Sequence, residues 1–244
     1  MNLRCTLATA RRVLSQLRHD RRTLALLIVV PCVLMALLAW VFEGTQTFDV
    51  IGAPLLGIFP FVVMFLVTSV ATLRERTSGT LERLLTMPIG KLDFLLGYAL
   101  AFGALAVVQA CVASGLALYA LGLDVAGPAW LLVTIAVLDA ILGMALGLFV
   151  SAFAATEFQA VQFLPAVVLP QFLLCGLLVP REEMNDFLHA VSSVLPLSYA
   201  VDAMRAVTTS ATVQGDTWRD LGIVAGAIVL ALALGAATLR RRTE

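Results

Sequence analysis

An all-α membrane protein with six transmembrane helices per chain is what these 244 residues predict, and three observations predict it. Hydrophobic residues make up 61% of the chain and charged residues 13%. That is about half the roughly 25% charge of a typical soluble domain, and the mean hydropathy is +0.98. Six apolar stretches, at about 23–42, 50–73, 94–123, 128–156, 158–180 and 221–239, each approach or exceed the ~20 residues needed to cross a bilayer core of about 30 Å. The net charge of zero hides an uneven distribution: thirteen of the sixteen Lys and Arg residues fall on one side of that six-span topology. A soluble enzyme, a disordered tail and a nucleic-acid-binding domain are excluded as the main reading.

The leader, residues 1–22, is a helix lying in the membrane interface. Leu3, Leu7, Ala10, Leu14 and Leu17 recur at helical spacing, which confines them to an arc of about 80°. Arg4, Arg11 and Arg18 run seven apart along one edge of that stripe, so leucines face acyl chains while arginines reach headgroups. Residues 23–244 then form a single six-span domain. The first span is a retained helix rather than a signal peptide, because its apolar run is too long and no A-x-A site follows Trp40. In the second span, Pro54 and Pro60 introduce bends, and Phe61 and Phe65 form an aromatic pair at i, i+4.

The loop Arg74–Asp93, RERTSGTLERLLTMPIGKLD, predicts a short amphipathic helix. Ser78 and Gly79 cap it, Glu82 sits in its first turn, Leu81, Leu84 and Leu85 form one apolar face, and Pro88 ends it. Two such turns between spans suit docking into a groove on a partner.

In the fourth span Asp139 is the lone charge, and Gly143-x-x-x-Gly147 permits close helix approach, as does Gly222-x-x-x-Gly226 in the sixth. The spacing leaves open whether these glycines serve a dimer or the chain's own bundle. In the fifth span Gln159, Gln162 and Gln171 are costly in lipid and face protein or a cavity, while Pro165 and Pro170 kink the helix. With Phe61 and Phe65, Gln162 and Gln171 suit a path for a lipophilic or amphipathic compound, although ordinary span packing explains the same residues.

Between the fifth and sixth spans, residues 181–220 hold two outer amphipathic helices that meet at Pro196. A crossing by Phe187–Val201 is too short, and an odd span count would separate Arg240, Arg241 and Arg242 from the basic leader. The opposite side carries only Arg181, Arg205 and Arg219, so the positive-inside rule places both termini in the cytoplasm.

RERTSGTLERLLTMP resembles the loop of ABC type-2 membrane-spanning subunits, E-x-G-T-L-E-x-L-L followed by proline, with one extra residue between Glu75 and Gly79. LLCGLLVPREEMNDFLHAVSSVLPLSYAVDAMRAV resembles that family's fifth-span exit, outer helices and P-x-S-Y-x-x-D-x-x-R stretch. The nearest likeness is to bacterial drug-resistance permeases of the daunorubicin-efflux type. The resemblance implies a permease subunit in the bacterial inner membrane that exports a drug, antibiotic or lipid-like molecule. Its partners would be two copies of a separate ABC ATPase and a second copy of itself or a homologous permease, within the lipid bilayer and without nucleic acid. The leader would be the connecting helix, and Glu75, Gly79, Leu81, Glu82, Leu84, Leu85 and Pro88 would belong to the ATPase-coupling loop. ATP and Mg would bind the partner, and no cofactor would bind this chain.

The sequence itself contains no G-x-x-x-x-G-K-[ST], so it has no P-loop for a nucleotide. His19 and His189 lie on opposite sides of the membrane in this topology, and no H-E-x-x-H occurs. The chain is therefore read as no enzyme by itself. The rival class is an ion- or proton-coupled secondary transporter using Asp139, although Asp139 lacks an intramembrane basic partner.

Overall fold

The computed structural model describes residues 3–45, 47–77, 90–213 and 215–238, and every regular element among them is helical. Helix α1 (Leu3–His19) stops at Asp20, which then caps α2 (Arg21–Val41) by accepting from the Thr23 amide at 3.2 Å and hydroxyl at 2.6 Å. Helix α3 (Thr47–Thr77) is the longest. Helix α4 (Lys91–Gly115) starts where the Gly90 amide donates to Asp93 and ends in a π turn, Leu116–Ala120. Helices α5 (Ala129–Val150) and α6 (Glu157–Leu174) follow, with the Thr156 hydroxyl accepting from the Gln159 amide to cap α6. Beyond a short 3₁₀ turn lie α7 (Asp186–Ser192), α8 (Pro196–Thr209) and finally α9 (Gly215–Thr238).

Six of these helices are long and apolar enough to cross a membrane: α2, α3, α4 with its π turn, α5, α6 and α9. Their limits shift from the apolar runs for local reasons. The fifth span, α6, stops at Leu174, six residues before its run ends, and Gly176 takes a left-handed φ of +90° that redirects the chain toward the outer segment. The sixth begins at Gly215, because the polar first turns of α9 continue the helix below Leu221.

At the centre, α3 and α5 form the most extensive interface in the bundle. Added at Gly143, a Cβ would stand 2.2 Å from the Phe61 carbonyl oxygen; at Gly147, 2.6 Å from that of Phe65. The Gly143–Gly147 pair therefore serves the chain's own bundle, bringing two backbones into direct contact. In lipid, where apolar tails compete for the same surfaces, such close packing is what holds helices together. Gly222 and Gly226 have no heavy atom within 4 Å of an added Cβ.

Helices α2, α6 and α9 keep most of their surface outside the bundle, whereas α3 and α5 are mostly enclosed. The outer pair is not a simple cover. Helices α7 and α8 meet at 88°, and α8 sinks among α3, α5 and α9, burying Leu197, Ala200, Val201, Met204 and Val207. Pro196 starts α8, at the one helical position where a missing N–H costs nothing.

The leader also docks differently from its leucine stripe. Its buried residues are Thr6, Thr9, Ala10, Val13 and Leu17, while Leu3 and Leu7 stay exposed. Small side chains select this face. Gly97 on α4 lies so close to Thr9 that a Cβ there would be 2.6 Å from the threonine Cβ.

Candidate functional site

Two polar constellations stand at opposite ends of the bundle, and both are built from residues that the sequence marks by charge. At the arginine-rich end, the last turn of α3 carries Arg74, Glu75 and Arg76, which leave the helix about 100° apart. Each therefore meets a different neighbour. Arg74 makes a bidentate pair with Glu157 at the start of α6, at 2.8 and 2.9 Å. Glu75 accepts from Arg12 of α1 at 3.4 Å, and Arg12 also donates to the Tyr98 hydroxyl of α4 at 2.8 Å. Arg76 donates to the Ser151 carbonyl at the end of α5. Thr6 of α1 adds a bond to Asp93 of α4 at 3.3 Å.

Three consecutive residues thus tie the end of α3 to α1, α5 and α6, immediately before residues 78–89. Of the coupling residues expected from the sequence, Glu75 lies in this node. Gly79, Leu81, Glu82, Leu84, Leu85 and Pro88 fall outside the described residues. The sequence reading missed Arg12, Tyr98 and Glu157. Arg12 lies in the leader beside the arginines noted there, but only the fold shows which carboxylate it faces.

Beside this node a cleft of about 490 Å³ opens between α1, α2, α3, α4 and α6. Gln16, Asp20, Thr23, Arg74 and Glu75 form its polar part, and Leu26, Leu66, Val67, Val70, Phe102 and Val161 its apolar part. The Thr23 hydroxyl and amide hold the Asp20 carboxyl below its ordinary range, with a further contribution from the nearby Arg74 charge.

The opposite end is closed by the P-x-S-Y-x-x-D-x-x-R stretch, every polar member of which makes a bond. The Ser198 hydroxyl lies 3.2 Å from that of Ser192, which donates to the Leu174 carbonyl at 2.7 Å. Tyr199 donates to the Ser193 carbonyl at 2.7 Å, and its ring lies 5.1 Å beneath the Arg181 guanidinium. Asp202 pairs with Arg181, and Arg205 donates to the Leu177 carbonyl at 3.2 Å. The stretch therefore fastens α8 to the exit of α6. Arg181 is nearly buried, so removing it leaves Asp202 without its counter-charge, a change that costs about 3–5 kcal/mol in fully buried pairs. Arg181→Met should lower the melting temperature of the detergent-solubilised protein by several degrees, while Asp216→Asn, which removes only the exposed partner of Arg219, should not.

Within the bundle, Phe61 and Phe65 are completely buried. Gln171 is buried on α6, its amide donating to the Val167 carbonyl at 3.2 Å, whereas Gln162 is exposed on the same helix. The cleft is lined by Leu66, Val67 and Val70 of α3 rather than by the two phenylalanines. Asp139 is buried where α3, α5 and α8 meet. Gly57 makes room there: its added Cβ would stand 3.0 Å from an Asp139 carboxylate oxygen and 2.7 Å from the Met204 methyl. Neither Asp139 oxygen has a hydrogen-bond partner among the described residues. Among those residues no three His, Cys, Asp or Glu side chains could hold a metal ion.

The ABC-2 type transporter family matches residues 4–208. The chain is 27% identical over 164 residues to ABC transporter G family member 20 of Dictyostelium discoideum, covering 67% of this chain and 22% of that protein. It is 25% identical over 167 residues to the probable multidrug ABC transporter permease YbhR of Escherichia coli (strain K12), covering 68% and 45%. With the probable multidrug ABC transporter permease YbhS of the same organism, identity is 26% over 164 residues, covering 67% and 43%. The matched region spans less than half the length of each of these relatives. With residues 4–208 matched and six helices long and apolar enough to cross a membrane among the described residues, this multipass membrane protein belongs to the ABC-2 type transporter family.

Proposed function

We propose that the chain is the permease subunit of an ABC exporter that moves a lipophilic or amphipathic compound out of the cytoplasm or inner leaflet. Hydrolysis takes place on two copies of a separate ATPase, and both termini of this chain lie on the ATPase side of a bacterial inner membrane. The observation that carries this reading is the node at the end of α3, where Arg74, Glu75 and Arg76 tie the approach to residues 78–89 to α6, α1 and α5. A segment pushed by a partner there has a ready mechanical connection to the bundle. Two relatives bear the name of probable multidrug permeases, which supports a drug-like substrate.

The export path runs between two copies of the chain. Gln162 is an exposed amide on a helix of membrane-spanning length, and polar groups at membrane depth face protein or an aqueous cavity. Gly222 and Gly226 leave an open strip on α9 for a neighbouring helix. The reading is tested by purifying the chain alone and together with ABC ATPases expressed beside it. The chain alone should show no ATP hydrolysis above an empty preparation, and the complex should hydrolyse ATP. Robust turnover by the homogeneous chain would refute the division of labour.

The position of Asp139 favours one rival, an ion- or proton-coupled secondary transporter, because an unpartnered buried carboxyl is what such a carrier needs. Asp139→Asn separates the two. Asparagine keeps the size and polarity that fit between Gly57 and Met204 and removes the titratable proton. ATP-driven efflux should persist in this variant. Loss of transport in a normally folded Asp139→Asn protein would favour the rival.

A further inference from the structure

We infer that the cleft at the arginine-rich end is a binding site for one phospholipid whose head carries a primary ammonium and a phosphate, with one acyl chain held against α3. The inference does not depend on what the protein exports, only on its lying in a bilayer.

The cleft has the polarity of a lipid. Its α3 wall is a single helical stripe, with Leu66 and Val67, then Val70 and Ala71, then Arg74 and Glu75 at 3.6-residue spacing. From Leu66 to Glu75 the stripe rises about 14 Å along the helix at 1.5 Å per residue. That matches the depth of one leaflet, about half of a ~30 Å hydrocarbon core. Charge lies at one end only. The other walls repeat the same order, with Gln16, Asp20 and Thr23 beside the arginine and Leu26, Phe102 and Val161 beyond it. A volume of about 490 Å³ falls within the ~300–1,000 Å³ of small-molecule sites.

The head chemistry follows from Asp20 and Arg74, since the third charge at the polar end, Glu75, is engaged by Arg12. Arg74 gives Nε and Nη2 to Glu157, which leaves Nη1 outside that bidentate pair to donate to a phosphate oxygen. Asp20 has no arginine within ion-pair distance among the described residues, and its carboxylate is held ionised by Thr23. An ammonium bearing N–H donors satisfies it. A choline head cannot donate such a bond, and a glycerol head brings no positive charge, so phosphatidylethanolamine is preferred over phosphatidylcholine and phosphatidylglycerol.

The full chain would be reconstituted in nanodiscs of equimolar phosphatidylethanolamine, phosphatidylcholine and phosphatidylglycerol, and retained lipid read by native mass spectrometry after release. We expect one phosphatidylethanolamine per protomer. Ala71→Trp, which fills the apolar part of the cleft, should remove it. Asp20→Asn keeps a good helix cap and should reduce the preference over phosphatidylglycerol about ten-fold, the loss of roughly one charge-assisted bond. The inference is overturned if no lipid is retained, or if the three lipids are retained equally by the unaltered chain. It also fails if folded Ala71→Trp keeps its phosphatidylethanolamine, or if a second copy of the chain, located by cross-linking from Val67→Cys, occupies the cleft. None of these outcomes bears on whether ATP hydrolysis resides on a partner.

Discussion

Replacing Gly143 with valine should leave no folded protomer to purify. The first added carbon would stand 2.2 Å from the Phe61 carbonyl oxygen and 2.9 Å from its Cα, and those neighbours are backbone, so no side chain can rotate away. Relief requires α3 and α5 to separate, and theirs is the most extensive interface in the bundle. Ordinary overpacking costs about 1–3 kcal/mol because side chains and backbone yield a little; here nothing soft is available, and the expected cost exceeds that range. Gly222→Val and Gly226→Val meet nothing within 4 Å inside the chain and should each still give a folded protomer, any effect falling on the pairing of copies. Size-exclusion profiles and melting in detergent would measure all three. A monodisperse Gly143→Val protein with the parent's melting temperature would show that the α3–α5 contact is not as close as described.

Replacing both Leu84 and Leu85 with serine should detach the chain from its ATPase while leaving it folded in the membrane. These residues lie outside the described segments, so the expectation rests on their spacing with Leu81 and on the proposed coupling role. Each fully buried leucine contributes about 1.5–3 kcal/mol, and two together about 3–6 kcal/mol, or roughly a hundred- to ten-thousand-fold in affinity at 1.4 kcal/mol per decade. Efflux and ATPase pull-down measured in the same cells would read the effect. A plain connector predicts that both survive, and full activity of the double variant would remove the reason for placing the coupling contact there.

The sequence makes the long helices legible because lipid permits few alternatives: an uncharged run of some twenty residues must satisfy its own backbone. It shows Gly143 and Gly147 as a close-approach motif but not their partner, because small residues four apart fit any helix. Only the fold selects Phe61 and Phe65 as what they meet. The leader's docking face is not legible from hydropathy, since leucines mark a lipid-facing edge while the contact with Gly97 selects Thr6 and Thr9. The charges of Arg74, Glu75 and Arg76 are plain in the sequence. Their pairing is not, because Glu157 lies 83 positions away from Arg74 and Arg12 lies 63 from Glu75. At the opposite end, period and the proline break mark α7 and α8 correctly as helices, yet the depth of α8 depends on the space left between α3, α5 and α9.

The three-way anchorage at the end of α3 also limits how that helix can move. A rod gripped on three sides by side chains leaving about 100° apart resists rolling about its own axis, since any roll lengthens at least one of the Arg74, Glu75 and Arg76 contacts. Pivoting remains open only if α5 moves with it, since Gly143 and Gly147 hold α3 in backbone contact at Phe61 and Phe65. The helix has 31 residues, about 46 Å at 1.5 Å per residue. A pivot of only about 5° at the gripped end therefore sweeps its far end through about 4 Å, by simple leverage over that rise. That far end, Thr47 onward, runs beside the Asp49–Asp124 contact on the side of the bundle where α8 is fastened. A small force applied next to Arg76 would thus arrive there as displacement rather than as twist.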